Sequence, residues 1–434
     1  MADNLTNIAE YALEALTKAG AQKAACKASR GRKDELNVEA NEFSLMRTLF
    51  DDSIMLRAIV DGKKGIAVVN KLDKDSINQA VADCVALASS SSPDEAEDIA
   101  PKEENSSFDQ RMGGSDMDKL FSRTKEFVEQ TGSEFPQIIL EGVTSVFNSY
   151  QHAYVNSNGV EFTNAEEYYD FSSMFTAKDG EATSSFNYYG VRTQSLATAF
   201  MDAGLQRSVL ADSVKSLKTR TVDGKFEGKV IVAPTCGDMI WETLIECFLS
   251  DYPMVSGSSR WKDALGTKVA DPKLSFMLSP LHPNIIGGER FTADGFASKN
   301  FDFIRDGMLQ SLGLSLYGAK KTGNSRALNT AYGNIEVAAG TTPLADMIKG
   351  IDKGVLLGRF SGAAPGPSGD ISGIAKNSFL IENGQITDAL GETMLSFNIL
   401  DALMNISSIS AERSIDGHSV LPWCCFDGIT LSGK

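Results

Sequence analysis

The chain has 434 residues, 42% hydrophobic and 23% charged, enough for two or three domains with apolar cores. Its formal charge of −16, with no basic run longer than Lys63–Lys64 or Lys320–Lys321, argues against direct nucleic-acid binding and against anionic membranes. No apolar stretch reaches the roughly 18 residues of a membrane-spanning helix.

The segment Met1-Ala-Asp-Asn-Leu-Thr lacks a basic and an apolar run and reads as the start of a cytoplasmic protein. Leu5, Ile8, Ala9, Ala12, Leu13 and Leu16 recur at helical spacing, which predicts a helix over 5–19, capped by Asn4 or Asp3 and ended by Gly20. Residues 24–70 have β character, with a strand over 52–61, a turn at Gly62-Lys63-Lys64-Gly65 and a strand over 66–69. A helix is predicted over 75–88. The polar stretch 89–109 then reads as a surface connection.

Further along, a helix is predicted over 116–131 and strands over 137–148, 153–156, 160–165 and 168–177, with a tight Asn158-Gly159 turn. A strand near 184–192 and a helix near 205–217 complete a second helix–strands–helix series. Short turns between strands imply antiparallel sheets, and the class is α+β. After the charged, Gly-containing stretch 219–228, Lys229-Val-Ile-Val-Ala-Pro opens a mostly β domain with helices near 236–249, 342–348 and 396–406. The expected organisation is an α+β sub-domain at 1–90, a connection at 91–114, a second α+β sub-domain at 115–220 and a β-rich C-terminal domain at 221–434.

Six cysteines (Cys26, Cys84, Cys236, Cys247, Cys424 and Cys425) are too sparse for a disulfide scaffold and read as reduced thiols. Only His152, His282 and His418 could supply imidazole to a hydrolytic metal.

An ordered set of motifs then narrows the reading. It contains Asn156-Ser-Asn-Gly-Val160, Tyr317-Gly-Ala-Lys-Lys-Thr-Gly323, Asn334, Gly340 and Ile351-Asp-Lys-Gly354. It continues through Ser361-Gly362, Ser368-Gly-Asp-Ile-Ser-Gly373, Phe379-Leu-Ile-Glu-Asn-Gly384, Gly391-Glu-Thr-Met-Leu395, Asn398 and Ile406. In this order the motifs resemble the TldD/PmbA family, members of which are described as modulators of DNA gyrase. The resemblance implies two kinds of subunit. TldD-like chains carry His-Glu-x-x-x-His on a helix early in the C-terminal domain, plus a late cysteine, and bind zinc. TldE/PmbA-like chains lack those ligands and accompany TldD in a peptidase complex.

In this chain Trp241 stands where the first His of that motif would be, Glu242 matches the Glu, and Glu246 takes the place of the second His. A hydrolytic zinc needs about three N, S or O ligands, an open position for water and a base beside it. Tryptophan has no lone pair to offer, and 407–414 contains no cysteine. Met239, Ile240, Thr243, Leu244, Cys247 and Phe248 share a helical face suited to a core, which leaves Glu242 and Glu246 to solvent.

The resemblance therefore implies a TldE/PmbA-like, metal-less subunit acting on small or unfolded peptides, with no catalytic, cofactor or metal residue of its own. Zinc would reside in a TldD-like paralogue, in a heterodimer or higher assembly. The alternatives are a hydrolase with a metal site rebuilt from Glu242, Glu246, His418 or Cys424, and a homodimeric peptide-binding protein. His418 lies near Glu412, Cys424 and Cys425, but the spacing matches no standard zinc pattern. Gly362-Ala-Ala-Pro-Gly-Pro-Ser-Gly369 lacks the Lys and Ser/Thr of a phosphate loop and is expected to be mobile or to line a cavity.

Overall fold

The computed structural model describes residues 4–363 and 365–433. Helix α1 (Leu5–Lys18) buries Leu5, Ile8, Ala9, Ala12 and Leu16 along one stripe. The Asn4 side chain accepts from the Thr6 N–H at 3.2 Å and so caps the helix; the alternative cap, Asp3, lies outside the described residues.

Strands β1 (Lys23–Glu39), β2 (Glu42–Val60) and β3 (Lys63–Val69) follow as a meander. The β2–β3 connection is the dipeptide Asp61–Gly62, both at positive φ (51° and 72°), and not the predicted turn over 62–65. A two-residue turn of this hand matches the twist of the flanking strands, so Lys63 and Lys64 already pair with Val60 and Ile59. At Gly65 a Cβ would stand 2.0 Å from the Cys84 carbonyl, so only glycine lets helix α2 (Lys74–Ser90) settle on the sheet there.

The polar stretch 89–109 is more than a connection. Residues 106–110 form β4 (Ser106–Gln110), and Ala96, Ile99 and Ala100 are buried. Its acidic groups pair with lysines of the flanking regions: Asp94 with Lys321 at 2.7 Å, Asp98 with Lys23 at 2.6 Å and with Lys320, and Glu97 with Lys64. The charges that suggested a solvated loop instead strap the N-terminal half to the C-terminal one.

After α3 (Met117–Glu134), two long strands, β5 (Ile138–Asn156) and β6 (Glu161–Asp179), replace the four shorter ones predicted. Along 166–169 of β6 consecutive residues are all buried, which erases the alternation of a half-exposed strand, whereas β5 runs on through the polar Ser149-Tyr-Gln-His152 because β1 and β6 pair with it there. The Asn156 side chain ties the β5–β6 turn by accepting from Asn158 N and Val160 N at 3.0 and 3.1 Å. Short β7 (Ala182–Thr183) and β8 (Asn187–Thr193) add to β6, and α4 (Gln206–Lys215) closes this half.

The strand order is β3-β2-β1-β5-β6-β4, antiparallel except at β4–β6. Because β1 pairs β5 from Ala25↔Asn156 to Val38↔Val143, the segments 1–90 and 115–220 share one sheet. N-terminal to Ile54, β2 pairs only with β1, whose other side is taken by β5, so β2 is there the free edge of the sheet. This edge displays Leu45, Met46, Leu49 and Phe50, the last 76% exposed.

The C-terminal half builds a mixed sheet of 14 strands. It opens with β9 (Thr219–Arg220) and β10 (Lys225–Val232) and the helices α5 (Gly237–Leu244) and α6 (Asp251–Val255). Next come β11 (Phe276–Leu278), β12 (Phe301–Arg305), β13 (Met308–Leu309), α7 (Leu316–Thr322), β14 (Ile335–Val337) and α8 (Leu344–Lys349). It finishes with β15 (Lys353–Leu357), β16 (Arg359–Gly362), β17 (Asp370–Lys376), β18 (Phe379–Glu382), β19 (Gln385–Leu390), β20 (Thr393–Asn398), α9 (Ile399–Met404), β21 (Ile406–Ile415) and β22 (Val420–Ser432). The α+β class holds, and no helix is long and apolar enough to cross a membrane among the described residues.

Candidate functional site

Strand β10 runs parallel to β15 through Val232↔Leu357, and there the two chains part. Pro234 opens a short turn that leads β10 into α5, which continues through one π-type turn, Ile245–Leu249. Meanwhile β15 carries on through Gly358 as β16. The crevice between α5 and β16 is thus a consequence of topology: one partner strand curls away and leaves the other's edge open.

The helix presents two different sides. Trp241 is buried in the C-terminal core, its ring 5.1 Å from that of Phe276, among Ile240, Leu244, Ile245 and Phe248. Glu242 and Glu246 are exposed, as the helical pattern predicts. Trp241 itself sits with the core, although it stands outside the apolar face read from the sequence. The indole offers an N–H donor and no acceptor, and its burial leaves no room for an ion. These residues do not fit a family-type zinc centre.

The other candidate ligands are scattered. Cys424 and Cys425 alternate across β22, Cys424 in the large core and Cys425 in a smaller cluster with Ile231 and Ile381. Burial pushes both thiols up. Along the strand Val420 is roughly 13 Å from Cys424, so His418, beyond Val420, does not reach it. His418 instead faces Asp170 of β6, Nε2 to Oδ1 at 3.8 Å. His282 accepts from Asn284 N at 3.1 Å in a loop, and His152 of β5 bonds Ser29 Oγ at 3.0 Å. Among the described residues, no three His, Cys, Asp or Glu side chains gather as a metal site.

The remaining side of α5 faces the crevice, a cavity of about 270 Å³. Thr235 lines it from the turn before the helix, Met239 and Thr243 from the helix, Phe360, Gly362, Ala363, Pro365 and Ile371 from the β16–β17 hairpin, and Tyr188 from the N-terminal sheet. Of the two expectations for the Gly- and Pro-rich loop, mobile or cavity-lining, the structure shows the second. Cys247 Sγ donates to Pro365 O at 3.3 Å, and the Ser368 carbonyl accepts from Asn398 Nδ2 at 2.9 Å and Arg260 Nη1 at 3.1 Å, so the loop is tied at both ends.

Arg359 lines the cleft beside Tyr188. Its Nε donates to Asn377 Oδ1 at 3.1 Å and its Nη2 to Ser185 Oγ at 2.9 Å, and its guanidinium covers the Phe186 ring at 4.1 Å. All these partners are neutral, and among the described residues no carboxylate pairs with it. Burial draws the guanidinium below its ordinary range, with the Tyr188 hydroxyl acting the other way. Nothing in the local sequence singles out Arg359, because its neighbours come from residues 185–188, 235–243 and 377.

With this geometry in view, comparison with known proteins is informative. The family model described as "PmbA/TldA metallopeptidase C-terminal domain" matches residues 225–433, and "PmbA/TldA metallopeptidase domain 1" matches 25–88. The chain belongs to the TldD/PmbA family. A metalloprotease of Synechocystis is 28% identical over 258 residues, covering 54% of this chain and 53% of that protein; the match thus spans about half of that relative's length. A metalloprotease PmbA homologue of Haemophilus influenzae is 22% identical over 460 residues, covering 99% of this chain and 96% of the relative.

Solved structures agree on the fold. TldE from Thermococcus kodakarensis superposes with a TM-score of 0.85 at 17% identity, covering 98% of this chain and 100% of that one. A candidate modulator of DNA gyrase from Bacteroides thetaiotaomicron gives 0.85 at 20% identity, covering 99% and 98%.

Proposed function

We propose that this chain is a TldE/PmbA-like subunit of a cytoplasmic metallopeptidase that acts on small or unfolded peptides. The observation that carries this reading is Trp241: where a family peptidase would place its first zinc imidazole, this chain buries an indole at 3% exposure. A TldD-like paralogue bearing His-Glu-x-x-x-His would supply the zinc and its chemistry, and this chain would help enclose and present the peptide. The open edge of β16 supports presentation of an extended substrate by strand addition, which tolerates many sequences because it uses main-chain bonds. The exposed apolar edge strand β2 supports a protein partner, since Met46 and Phe50 at 72% and 76% exposure suit burial in an assembly.

The reading is tested by assaying an unfolded fluorogenic peptide with this chain alone, with a TldD-like paralogue from the same genome, and with both. Cleavage that needs both chains and stops with chelator is expected, and the double variant M46D/F50D should abolish co-elution while leaving each chain folded. Chelator-sensitive cleavage by this chain alone would overturn the proposal.

A further inference from the structure

The cleft beside α5 has a chemical polarity that peptide presentation alone does not require. Its floor and walls are apolar or hydroxylic, through Met239, Phe360, Pro365, Ile371, Thr235 and Thr243. Its one formal charge among the described lining residues is Arg359, in a chain whose overall charge is −16. Most other half-buried arginines of the molecule sit against acids: Arg57 on Asp294 at 2.9 Å, Arg192 on Asp170 at 2.8 Å, Arg413 on Glu336 at 3.0 Å. Arg359 is held instead by an amide oxygen, a hydroxyl and an aromatic face, which fix its plane without neutralising it. A partly desolvated guanidinium held in this way is prepared for an incoming planar anion.

We propose that the cleft captures a carboxylate of a short extended peptide, with Arg359 as its anchor. The α-carboxylate of a chain end fits the site better than an internal acid. At about 270 Å³ the cavity lies just below the roughly 300–1,000 Å³ of ordinary ligand pockets, a size suited to the last residues of a chain. With the carboxylate at Arg359, the preceding residues run past Gly362 and Ala363 toward solvent, antiparallel to β16. There they meet the edge that β10 abandons, while β17 satisfies the other edge through Arg359↔Lys376 to Gly362↔Gly373. Apolar side chains of the last residues fall between Met239 and Ile371. Arg359 is in this account a binding residue, and nothing in the site performs chemistry on the peptide.

This inference rests on the peptide-handling reading above but is measured separately from it. The experiment is fluorescence polarisation on the purified chain, with chelator present to silence any hydrolysis. The probes are one N-terminally labelled pentapeptide of Ala, Leu and Phe as its free acid, the same peptide as its C-terminal amide, and the amide with Glu at the fourth position. The free acid should bind about tenfold or more tighter than the amide, the worth of one charge-assisted pair. Arg359→Gln should erase that preference, and Arg359→Lys should keep part of it. If the Glu-bearing amide matches the free acid, the carboxylate chemistry stands and its source is a side chain.

Equal binding of acid and amide by the natural chain overturns the inference, and needs no variant to be read. A preference that persists in Arg359→Gln overturns it as well. Neither outcome touches the subunit reading, which falls only if the chain cleaves peptides unaided.

Discussion

Helix α5 and the centre of the N-terminal sheet treat ionisable groups in opposite ways. On α5 the carboxylates Glu242 and Glu246 stand in solvent, and the buried face is Ile240, Trp241, Leu244, Ile245 and Phe248. In the sheet, charge is taken inside. Burial and the neighbouring Lys27 lower His152 to about 4, burial raises Glu166, and burial lowers Lys27. Displaced proton affinities often mark a catalytic centre. Here they mark the seam between β1, β5, β6 and the C-terminal loop of Glu289 and Arg290, where Arg290 also bonds Gln110. The perturbed groups fasten two halves of the molecule, and helix α5 is a packing element.

That contrast is broken or sharpened first on α5. Trp241→Ala should destabilise the fold by about 3–5 kcal/mol, as deletion of a large buried aromatic does. Glu246→Gln, one and a half turns along the same helix, should stay within about 0.5 kcal/mol. Urea unfolding of both variants checks the pair, and a mild effect of Trp241→Ala would mean the helix face is not the packed core described.

In the sheet the expected effect is smaller and depends on pH. The folded state holds His152 near 4, below the ordinary 6.5, so it favours the neutral ring. The unfolded chain takes up the proton first, and stability falls as pH drops from about 6.5 to about 4, then levels for this group. At about 1.4 kcal/mol per unit the loss reaches about 3 kcal/mol at most. His152→Gln should flatten that part of the profile relative to the natural chain, measured as urea midpoints at several pH values. An unchanged slope would remove His152 from the seam's energetics.

Much of this was legible in the sequence wherever one face of an element is wet. The stripe of Leu5, Ile8, Ala12 and Leu16 and the alternation over 54–60 each point to a single buried side. Legibility fails where both faces are covered, as along 166–169 of β6, and where polar residues break the pattern, as at Ser149-Tyr-Gln-His152 of β5, held in register by β1 and β6. It fails again where charge is paired over distance, since nothing near Asp94 or Asp98 announces Lys321 or Lys23. The motif helix could be read because Trp241, Glu242 and Glu246 are local. The cleft could not, because it is assembled from Tyr188, Met239 and Arg359, brought together only by the divergence of β10 and β15.

The central claim is that this chain carries no zinc peptidase centre of its own, and metal analysis of the natively purified, untagged chain tests it most directly. Zinc far below one atom per chain, unchanged after dialysis against micromolar zinc, is the predicted result. Close to one zinc per chain, together with chelator-sensitive cleavage of an unfolded peptide, would contradict the account and send the search for ligands back to α5.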